Sequence, residues 1–551
     1  MPNIETNLTK PFPVALSGHM LKYEIECICK IFLPIRKFSF FYETAQLPET
    51  EEEGAVLTLE QQGEQSRFFV QVQYLGQVLE LEQFLPCCSP EADKQLCEYQ
   101  FSAMLFRLLE QITDLHPAWG LLTGIRPVKK VQPYLGKNYS KSEVCEKLHE
   151  KYWISPEKLS LVYDTAVVQQ PLLEQTPKHG ISLYLSIPFC PTRCSYCSFV
   201  SHSIEQAHKL IPEYLEKLCD ELVLWGQLIR EQGLLVDTVY FGGGTPTSLS
   251  AEQLEQVLTA VQENFDLSHL REYCVEAGRP DTITPEKLET LKRFGVDRIS
   301  VNPQTMQDDV LENIGRKHTT AQTVEAFRMA RAAGFDNINM DLIAGLPGDT
   351  PEGFHDTLEQ ILALDPDSIT VHALTLKRAA NLFAESEKQV HNPVEQMVQE
   401  SMRRLPEHGY APYYMYRQKN TIDNQENVGY ARAGKESLYN ILIMDESQSI
   451  FGAGCGASTK LVEPCGKITR IHNYKFPYEY IRQFDQLMQK KEQVREICRR
   501  IREQESEEEG VSLCHLFMFR RMPQFRTHKQ KKSSHISASP LLLSPEKQRI
   551  G

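Results

Sequence analysis

Three cysteines lie close together in Cys190-Pro-Thr-Arg-Cys194-Ser-Tyr-Cys197, directly after the apolar run 184–189. Thiolates are soft ligands that select zinc or iron–sulfur clusters. A structural zinc site needs a fourth ligand, usually from a second Cys or His pair, and only His202 follows nearby. An electron-transfer cluster uses four cysteines, so three thiols suit a four-iron cluster with one open iron. The spacing therefore predicts such a cluster, with a zinc loop or three unrelated buried thiols as the alternatives.

A run of three glycines follows in Tyr240-Phe-Gly-Gly-Gly-Thr-Pro246. Glycine lets the backbone approach a ligand closely and adopt a positive φ, both of which a side chain hinders. By itself the run is a weak signal, because a tight turn has the same composition. Its interpretation depends on the elements that surround it.

Those elements form a repeat of strand, loop and helix from about residue 180. We predict strands at 182–189, 238–243, 273–277, 298–301, 337–343 and 368–374. Amphipathic stretches of helical length lie between them, near 204–232, 251–265, 285–294, 320–333 and 353–364. Consecutive βα units predict a parallel sheet with right-handed crossovers, and α/β barrels place their sites at the carboxyl ends of the strands. We therefore expect the cysteines and the glycines at one edge of this sheet.

Residues 1–165 are predicted to form an N-terminal α+β module of unknown role. Short β-like runs alternate with charged turns and indicate a small antiparallel sheet, at 38–42, 55–59, 68–75 and 78–81. A helical stretch follows near 94–115. The segment 119–127, which contains Gly and Pro, indicates a packing loop between modules or a ligand loop.

The end of the chain differs in composition from the repeat. We expect residues 381–500 to form a C-terminal domain, mostly helical or α+β, that is associated with the substrate. Residues 503–551 begin with an acidic run and continue as a basic, Ser-rich segment, which indicates a disordered tail.

The composition excludes several classes of protein. The 551 residues are 41% hydrophobic and 24% charged, as in a globular protein of two to four modules. A net charge of −14 and a pI near 5.7 argue against a broad nucleic-acid-binding surface. We expect no membrane span and no signal peptide, because no long apolar run or basic leader occurs. The 15 cysteines are an odd number spread over a long chain, which favours a reducing cytoplasm.

The spacing C-x3-C-x2-C resembles the signature of the radical S-adenosylmethionine (SAM) superfamily. The resemblance implies a [4Fe–4S] cluster bound by Cys190, Cys194 and Cys197, with SAM chelating the fourth iron. In that family SAM is cleaved to methionine and a 5′-deoxyadenosyl radical. The resemblance also implies an α/β chain in which residues 180–380 form a partial (β/α)6 barrel. Tyr196 is similar to an aromatic residue that packs on the adenine, with a place in the core as the alternative.

Other strand ends resemble the SAM-binding positions of this superfamily. The glycine run is similar to the GGGTP motif that contacts the methionine end of SAM. Asp341 resembles the ribose or adenine contact, and Glu276 resembles a SAM-binding glutamate, although Gly-Arg279-Pro follows where Asn-Pro is more usual. Each polar residue alone would be a helix or strand cap by default. The implied cofactor-binding set is Tyr184, Tyr196, Phe199, Gly243, Gly244, Thr245, Glu276, Gln304, Arg316 and Asp341.

Residues 180–380 as a whole resemble the oxygen-independent coproporphyrinogen III dehydrogenase group, and the flanking segments resemble its HemZ variant. The implied reaction converts two propionates of coproporphyrinogen III to vinyls, giving protoporphyrinogen IX in heme biosynthesis. The resemblance also implies an unidentified electron donor, such as a flavodoxin or ferredoxin. The group also contains heme chaperones called HemW, and Phe199 resembles that branch because the dehydrogenases have a fourth Cys there.

Two functions of different class follow from this resemblance. A dehydrogenase would couple SAM turnover to a porphyrinogen, and Arg417 and Lys419 would pair with propionate carboxylates or form surface salt bridges. A chaperone would hold heme and pass it on, with His372 and Cys455 as candidate ligands. A third possibility, a radical SAM enzyme acting on RNA, is disfavoured by the acidic charge.

Overall fold

The cysteine-bearing repeat and the N-terminal strands belong to different compact units of the computed structural model. The structure describes residues 10–34, 36–48, 51–197, 202–375, 393–418, 421, 424–464 and 466–519. One unit contains the described residues up to His116 and those from Arg502 onward, and the other is Pro117–Ile501. The boundary predicted near residue 165 therefore falls inside the second unit.

The first unit is built on a five-stranded sheet. Its elements up to His116 are β1 (Phe12–Ser17), α1 (Lys22–Phe32), β2 (Phe38–Tyr42), β3 (Gly54–Gln62), β4 (Gln65–Tyr74), β5 (Gln77–Pro86) and α2 (Lys94–Thr113). The strand order is β2-β1-β3-β4-β5. Strands β3, β4 and β5 are antiparallel as predicted, but β1 is parallel to both β2 and β3. The sheet is mixed because α1 forms a crossover that returns the chain in the same direction.

The second unit begins with two helices and continues as alternating strands and helices. The elements up to the end of the repeat are α3 (Lys141–Tyr152), α4 (Pro156–Glu174), β6 (Gly180–Ile187), β7 (Phe189–Cys190), β8 (His202–Ser203), α5 (Ile204–Ala207), α6 (Ile211–Glu231), β9 (Leu235–Gly243), α7 (Ala251–Asn264), β10 (Glu272–Glu276), α8 (Pro285–Arg293), β11 (Arg298–Ser300), α9 (Asp308–Asn313), α10 (Thr320–Ala332), β12 (Ile338–Ala344), α11 (Pro351–Leu364) and β13 (Ser368–Ala373). All six predicted strands and all five predicted helices of the repeat are present.

Further elements follow the repeat within the described chain. They are α12 (Val394–Glu407), β14 (Ala411–Arg417), β15 (Glu426–Ala431), α13 (Leu438–Asp445), β16 (Ser449–Ala453), β17 (Ser458–Val462), β18 (Ile468–His472), α14 (Pro477–Arg482) and α15 (Phe484–Phe519). The structure describes the start of the predicted tail as part of α15, whereas residues 520–551 lie outside the described residues.

One sheet of eleven strands organises the second unit, in the order β14-β15-β13-β12-β11-β10-β9-β6-β16-β17-β18. The six central strands from β6 to β13 are mutually parallel, as expected for a partial (β/α)6 barrel. At one edge β15 pairs antiparallel with β13, and at the other β16 pairs parallel with β6. The strands after residue 381 therefore extend the barrel sheet and do not form a sheet of their own.

Local sequence explains where several barrel helices begin. The side chain of Ser250 accepts from the backbone of Gln253 and forms a capping box that starts α7. Thr319 and Gln322 form the same motif at the start of α10. Each helix then packs its apolar side against the sheet, and these side chains form the large core of the unit.

Helices α3 and α4 belong to the second unit because buried polar contacts tie this region to β15. Lys158 on α4 donates from Nζ to Glu426 Oε1 at 2.6 Å, and both side chains are fully buried. Trp119 donates from Nε1 to Glu426 Oε2 at 2.8 Å. Trp119 thus connects the segment 119–127 with the barrel sheet, and the whole segment lies inside the second unit. Across the described residues, we find no helix with the length and apolarity needed to span a bilayer.

Candidate functional site

The cysteine loop lies at the carboxyl end of β6. Cys190 ends β7, which pairs with β8. The side chain of Cys194 is buried, and those of Cys190 and Cys197 are partly exposed. The backbone N–H of Ser195 donates to the carbonyl of Ile314 at 3.1 Å, just beyond α9. This contact fixes the middle of the loop against the neighbouring part of the barrel.

The three thiols do not form a preformed site for a single ion. Among the described residues, no three or more Cys, His, Asp or Glu side chains converge closely enough to hold one metal ion. A structural zinc site requires such convergence. The cysteines of a four-iron cluster ligate different irons, and therefore do not need to meet at one point.

The glycine run packs directly against the cysteine strand. The N–H of Gly244 donates to the carbonyl of Ile187, and that of Thr245 to the carbonyl of Phe189, both at 2.8 Å. A Cβ on Gly244 would lie 2.7 Å from the Phe189 oxygen and 3.0 Å from the Cys190 sulfur. Thr245 also donates from Oγ1 to Cys190 Sγ at 3.5 Å. The absence of a side chain at Gly244 is thus required for the backbone to support the first cysteine.

Glu276 lies inside the barrel at the end of β10. It accepts a hydrogen bond from the Tyr240 hydroxyl on β9 at 2.5 Å. Burial raises the pKa of Glu276 to about 7, while the hydrogen bond from Tyr240 opposes this rise. The Tyr240 ring stacks on Tyr439 at 4.4 Å between centroids, and Tyr184 stacks on Tyr240 at 6.2 Å. A carboxyl group that changes charge near neutral pH is thus held by a stack of aromatic rings.

Gln304 and Arg316 line the same edge of the sheet. Gln304 adopts a φ of 72°, and its buried Oε1 has no hydrogen-bond partner in the described part of the chain. Arg316 is buried and donates from Nη1 to the carbonyl of Asn302 at 2.6 Å and from Nη2 to the Tyr196 hydroxyl at 3.3 Å. Burial opposes the charge of Arg316, but Tyr196 and Cys194 raise the pKa of its guanidinium above the usual value. A buried, positively charged Arg316 therefore faces the cysteine loop.

Asp341 occupies the corresponding position on β12. It accepts from Asn339 Nδ2 at 2.7 Å, and its Oδ2 lies 3.9 Å from Nε2 of His372 on β13. Burial alone would raise the pKa of Asp341, but His372 and Asn339 outweigh burial and hold it below the usual value. Asp341 is thus ionised at neutral pH and is ready to accept hydrogen bonds from hydroxyl groups.

The structure brings most of the predicted site residues together at the carboxyl edge of the parallel strands. Their individual contacts with SAM stay predictions. Phe199, which was included in the cofactor-binding set, and Lys419 lie outside the described residues. Tyr196 packs against a small apolar cluster, as the core alternative predicts, and its hydroxyl accepts a hydrogen bond from Arg316. Its contact with the adenine stays a prediction.

Arg417 lies inside the second unit and not on its surface. Its side chain is buried, stacks on Trp119 at 4.8 Å, and donates to the Leu122 carbonyl and, at 2.6 Å, to Asn424 Oδ1. These contacts leave Arg417 packed inside the unit and not in a surface salt bridge, whereas a pairing with a propionate carboxylate stays a prediction. Cys455 is also buried, and its thiol donates to the carbonyl of Lys475 at 2.7 Å.

Some site residues escaped the sequence analysis. Tyr240 precedes Gly242 by two positions on β9 and so lies on the same face, which strand periodicity alone could have indicated. Tyr439 reaches the barrel interior from α13, and no local motif connects it with Glu276. Its position depends on Glu272, which accepts from the backbone N–H groups of Leu438 and Tyr439 at 2.8 and 3.0 Å.

The chain is similar to several known proteins. Residues 184–361 match the Radical SAM superfamily. The chain is 41% identical over 403 residues to the oxygen-independent coproporphyrinogen-III oxidase-like protein HemZ of Bacillus subtilis, covering 72% of this chain and 80% of that protein. It is 35% identical over 283 residues to the heme chaperone HemW of Bacillus subtilis, covering 50% and 70%. A solved structure of coproporphyrinogen III oxidase (HemN) from Escherichia coli is 24% identical, covers 59% and 73%, and gives a TM-score of 0.46.

The parallel sheet, the cysteine loop and the two sequence relatives define the class of this protein. The chain belongs to the radical SAM superfamily and, within it, to the HemN/HemW-like group that includes HemZ. Its cofactors are a [4Fe–4S] cluster and SAM. The residues fit these groups, because three thiols lie beside a glycine cradle and the buried Gln304 Oε1 is aligned with the same edge without a partner among the described residues.

Proposed function

We propose that this chain oxidatively decarboxylates coproporphyrinogen III to protoporphyrinogen IX without oxygen. The observation that carries the proposal is the convergence of Cys190, Glu276, Gln304 and Asp341 at one edge of a parallel barrel. The similarity to HemZ, which extends over 72% of the chain, supports the choice of a porphyrinogen as substrate. The match to HemW covers 50% of the chain, which is less than the 72% covered by the match to HemZ, so HemZ is the better guide to the substrate.

In this proposal Cys190, Cys194 and Cys197 ligate the cluster, and Glu276, Gln304, Arg316 and Asp341 hold SAM. When both groups are bound, they supply a radical able to remove a hydrogen atom from an unactivated carbon. The carboxylates of Glu276 and Asp341 attract the cationic and hydroxyl groups of the bound cofactor. Gln304 Oε1 is buried and has no hydrogen-bond partner among the described residues. In this proposal it accepts a hydrogen bond from SAM, because buried polar atoms are normally paired.

The barrel interior protects such chemistry from water. Helix α13 is held to β10 through Glu272, and it inserts Tyr439 against Tyr240 and Tyr184. In this proposal the three rings displace water from the part of the barrel next to Glu276. Exclusion of water strengthens the electrostatic contacts of the site and prevents side reactions of reactive intermediates.

The test is an anaerobic turnover experiment with the reconstituted chain. SAM, coproporphyrinogen III and a low-potential reductant are added, and protoporphyrinogen IX and 5′-deoxyadenosine are quantified. Formation of two 5′-deoxyadenosines for each protoporphyrinogen IX is the expected result. A flavodoxin or ferredoxin would then replace the chemical reductant, to identify the electron donor that we propose. Absence of porphyrinogen turnover by a chain with a full cluster and bound SAM would contradict the proposal.

A heme chaperone is the second candidate function, and the relatives named HemW favour it. This function predicts stoichiometric heme binding with little or no SAM cleavage. Cys455 is a poor candidate ligand because its thiol is buried and hydrogen-bonded. His372, with a side chain 27% exposed, remains a candidate. Heme titration of the wild-type chain and of His372→Ala, followed by the Soret band, separates the two functions.

A further inference from the structure

Arg279 distinguishes the loop after β10 in this chain. It belongs to the segment Gly-Arg279-Pro, and its side chain is buried. Its Nε and Nη2 atoms donate to the two carboxylate oxygens of Asp281, each at 2.8 Å. A two-point contact of this kind fixes the plane of the guanidinium. The third donor, Nη1, is thereby directed out of the ion pair.

That third donor reaches the cysteine loop. Arg279 Nη1 donates to the Thr192 hydroxyl at 3.0 Å, and Thr192 lies between Cys190 and Cys194. The same hydroxyl donates to the carbonyl of Gly315 at 3.0 Å. Thr192 therefore joins the loops that follow β10 and α9, and it accepts one hydrogen bond while it donates the other.

The charges around this contact favour the ion pair. Burial would raise the pKa of Asp281, but Arg279 outweighs burial and holds it below the usual value. His318 Nδ1 lies 4.0 Å from Asp281 Oδ1. Burial, together with the positive charges of Arg316 and Arg279, lowers the pKa of His318 to about 3. His318 is thus neutral at neutral pH and does not compete with Arg279 for the carboxylate.

We propose that Arg279 is a positioning residue that, paired with Asp281, locks the cysteine loop through Thr192 and presets its three thiols for the cluster. The lock acts together with the Ser195 N–H bond to Ile314, so that the loop is held at two points against the segment after α9. Groups that orient metal ligands contribute strongly to metal retention. This role of Arg279 is limited to the cysteine loop and is the same in a dehydrogenase and in a chaperone.

The first test removes the hydroxyl without touching the ion pair. Thr192→Val should release iron to a chelator roughly 10-fold faster than the wild type, the lower end of the effect expected for such supporting groups. Thr192→Ser keeps the hydroxyl and should retain iron as the wild type does. Equal iron retention by Thr192→Val, Thr192→Ser and the wild type would overturn the proposal.

The second test asks whether Arg279 acts through Thr192. Arg279→Gln should accelerate iron loss, and the double variant with Thr192→Val should be no worse than the more affected single variant. Effects that add fully in the double variant would contradict a shared path. The matched control is Arg293→Gln, because Arg293 is an exposed arginine on α8 that pairs with Glu255 at 2.8 Å.

A third readout uses the cluster-free chain. Hydrogen exchange at the Ser195 amide should be faster in Thr192→Val and in Arg279→Gln than in the wild type, and unchanged in Arg293→Gln. If Arg279→Gln does not fold, as judged by circular dichroism, the Thr192 variants still decide the question. Unchanged exchange in Thr192→Val would show that the loop is held without this contact. None of these measurements uses a porphyrinogen, so they are independent of the proposed function.

Discussion

Glu276 acquires its properties from side chains that are distant in the sequence. Its pKa is raised to about 7, mainly by burial; the Tyr240 hydrogen bond and His372 oppose this rise, and the charge of Asp341 contributes to it. The rings of Tyr184 and Tyr439 complete its surroundings through Tyr240. A carboxyl group with this pKa would make ligand binding at the proposed SAM site depend on pH near neutrality.

We predict that Tyr240→Phe shifts the pH dependence of SAM binding upward. The carboxylate is the form of Glu276 that attracts a cationic ligand, so affinity rises as pH increases through its pKa. Loss of the hydrogen bond raises that pKa, by about one unit if the bond to the charged form contributes about 1.5 kcal/mol. SAM affinity should therefore fall at pH 7 and recover at higher pH, as measured by equilibrium binding to the reconstituted chain.

Tyr273→Phe is the control for that experiment. Tyr273 is also a buried tyrosine of the barrel, but its hydroxyl has no hydrogen-bond partner among the described residues. The Tyr273→Phe variant should leave the pH profile of SAM binding unchanged. An identical profile for Tyr240→Phe and the wild type would mean that Glu276 does not control SAM affinity.

Cys194→Ala should prevent assembly of the cluster. Two thiolates cannot hold a four-iron cluster, and Cys194 is the buried member of the three. Iron and sulfide analysis after reconstitution checks this, with Cys219→Ala on α6 as the control for loss of a thiol elsewhere. Four irons per chain in Cys194→Ala would refute the assignment of the cluster to this loop.

Asp341→Asn should weaken SAM binding and leave the cluster spectrum intact. Loss of hydrogen bonds to a charged group costs about 1.5–3 kcal/mol, which corresponds to roughly 10- to 100-fold in affinity. Asp336→Asn is the control, because Asp336 is 83% exposed and lies in the loop before β12. Equal SAM affinity in both variants would remove Asp341 from the site.

At the scale of elements, the close contact between the end of β9 and strand β7, which ends at Cys190, supports the cysteine loop. The backbone of Gly244 lies so close to Phe189 and Cys190 that a Cβ would fall within 2.7–3.0 Å of their atoms. The clash involves backbone carbonyls, which cannot move without displacing β6 or β7. A methyl group added at position 244 would therefore force β9 and the strands β6 and β7 apart.

We predict that Gly244→Ala destabilises the fold by about 1–3 kcal/mol, as overpacked sites do, and impairs cluster retention. Gly278→Ala is the matched control, because a Cβ at Gly278 meets no atom within 4 Å. Thermal unfolding and iron content measured on both variants test the prediction. Wild-type iron content in Gly244→Ala would show that β6 and β7 tolerate displacement.

At the scale of the whole molecule, buried charges connect α4 with the far edge of the barrel sheet. Lys158 and Glu426 form an ion pair that is almost completely shielded from solvent. Gln425 Oε1 also accepts from Lys158, and Trp119 donates to Glu426. This network places residues 117–174 in the second unit, although the sequence pattern favours an N-terminal module up to residue 165.

Lys158→Met should destabilise the second unit by about 3–5 kcal/mol, because it leaves the Glu426 carboxylate buried without its partner. Denaturant unfolding followed by tryptophan fluorescence reports on this unit, since Trp119, Trp153 and Trp225 all lie within it. Lys141→Met removes a half-exposed pair with Asp164 and should cost less than about 1 kcal/mol. Equal effects of the two variants would contradict the role of the buried pair.

The repeat and the order of its motifs are readable from the residues alone. Apolar runs alternating with amphipathic stretches predict the six parallel strands, because period and length reflect local burial. Parallel strands then bring their carboxyl ends to one edge, so the cysteines and the glycine run are expected together there. These inferences depend on local pattern and on chain direction, both of which are readable from the residues. The choice of Glu276, Gln304 and Asp341 depends in addition on the resemblance to the radical SAM superfamily.

The distant groups that complete the site follow from the packing of the folded chain and not from local sequence. Tyr439, Arg279 and Thr192 act through contacts between segments that are far apart in the chain, and their local sequence carries no sign of the partner. The extension of the barrel sheet by β14–β18 and the burial of Arg417 have the same origin. Packing between elements determines these features, because a buried polar group is stable only where the folded chain supplies its partner.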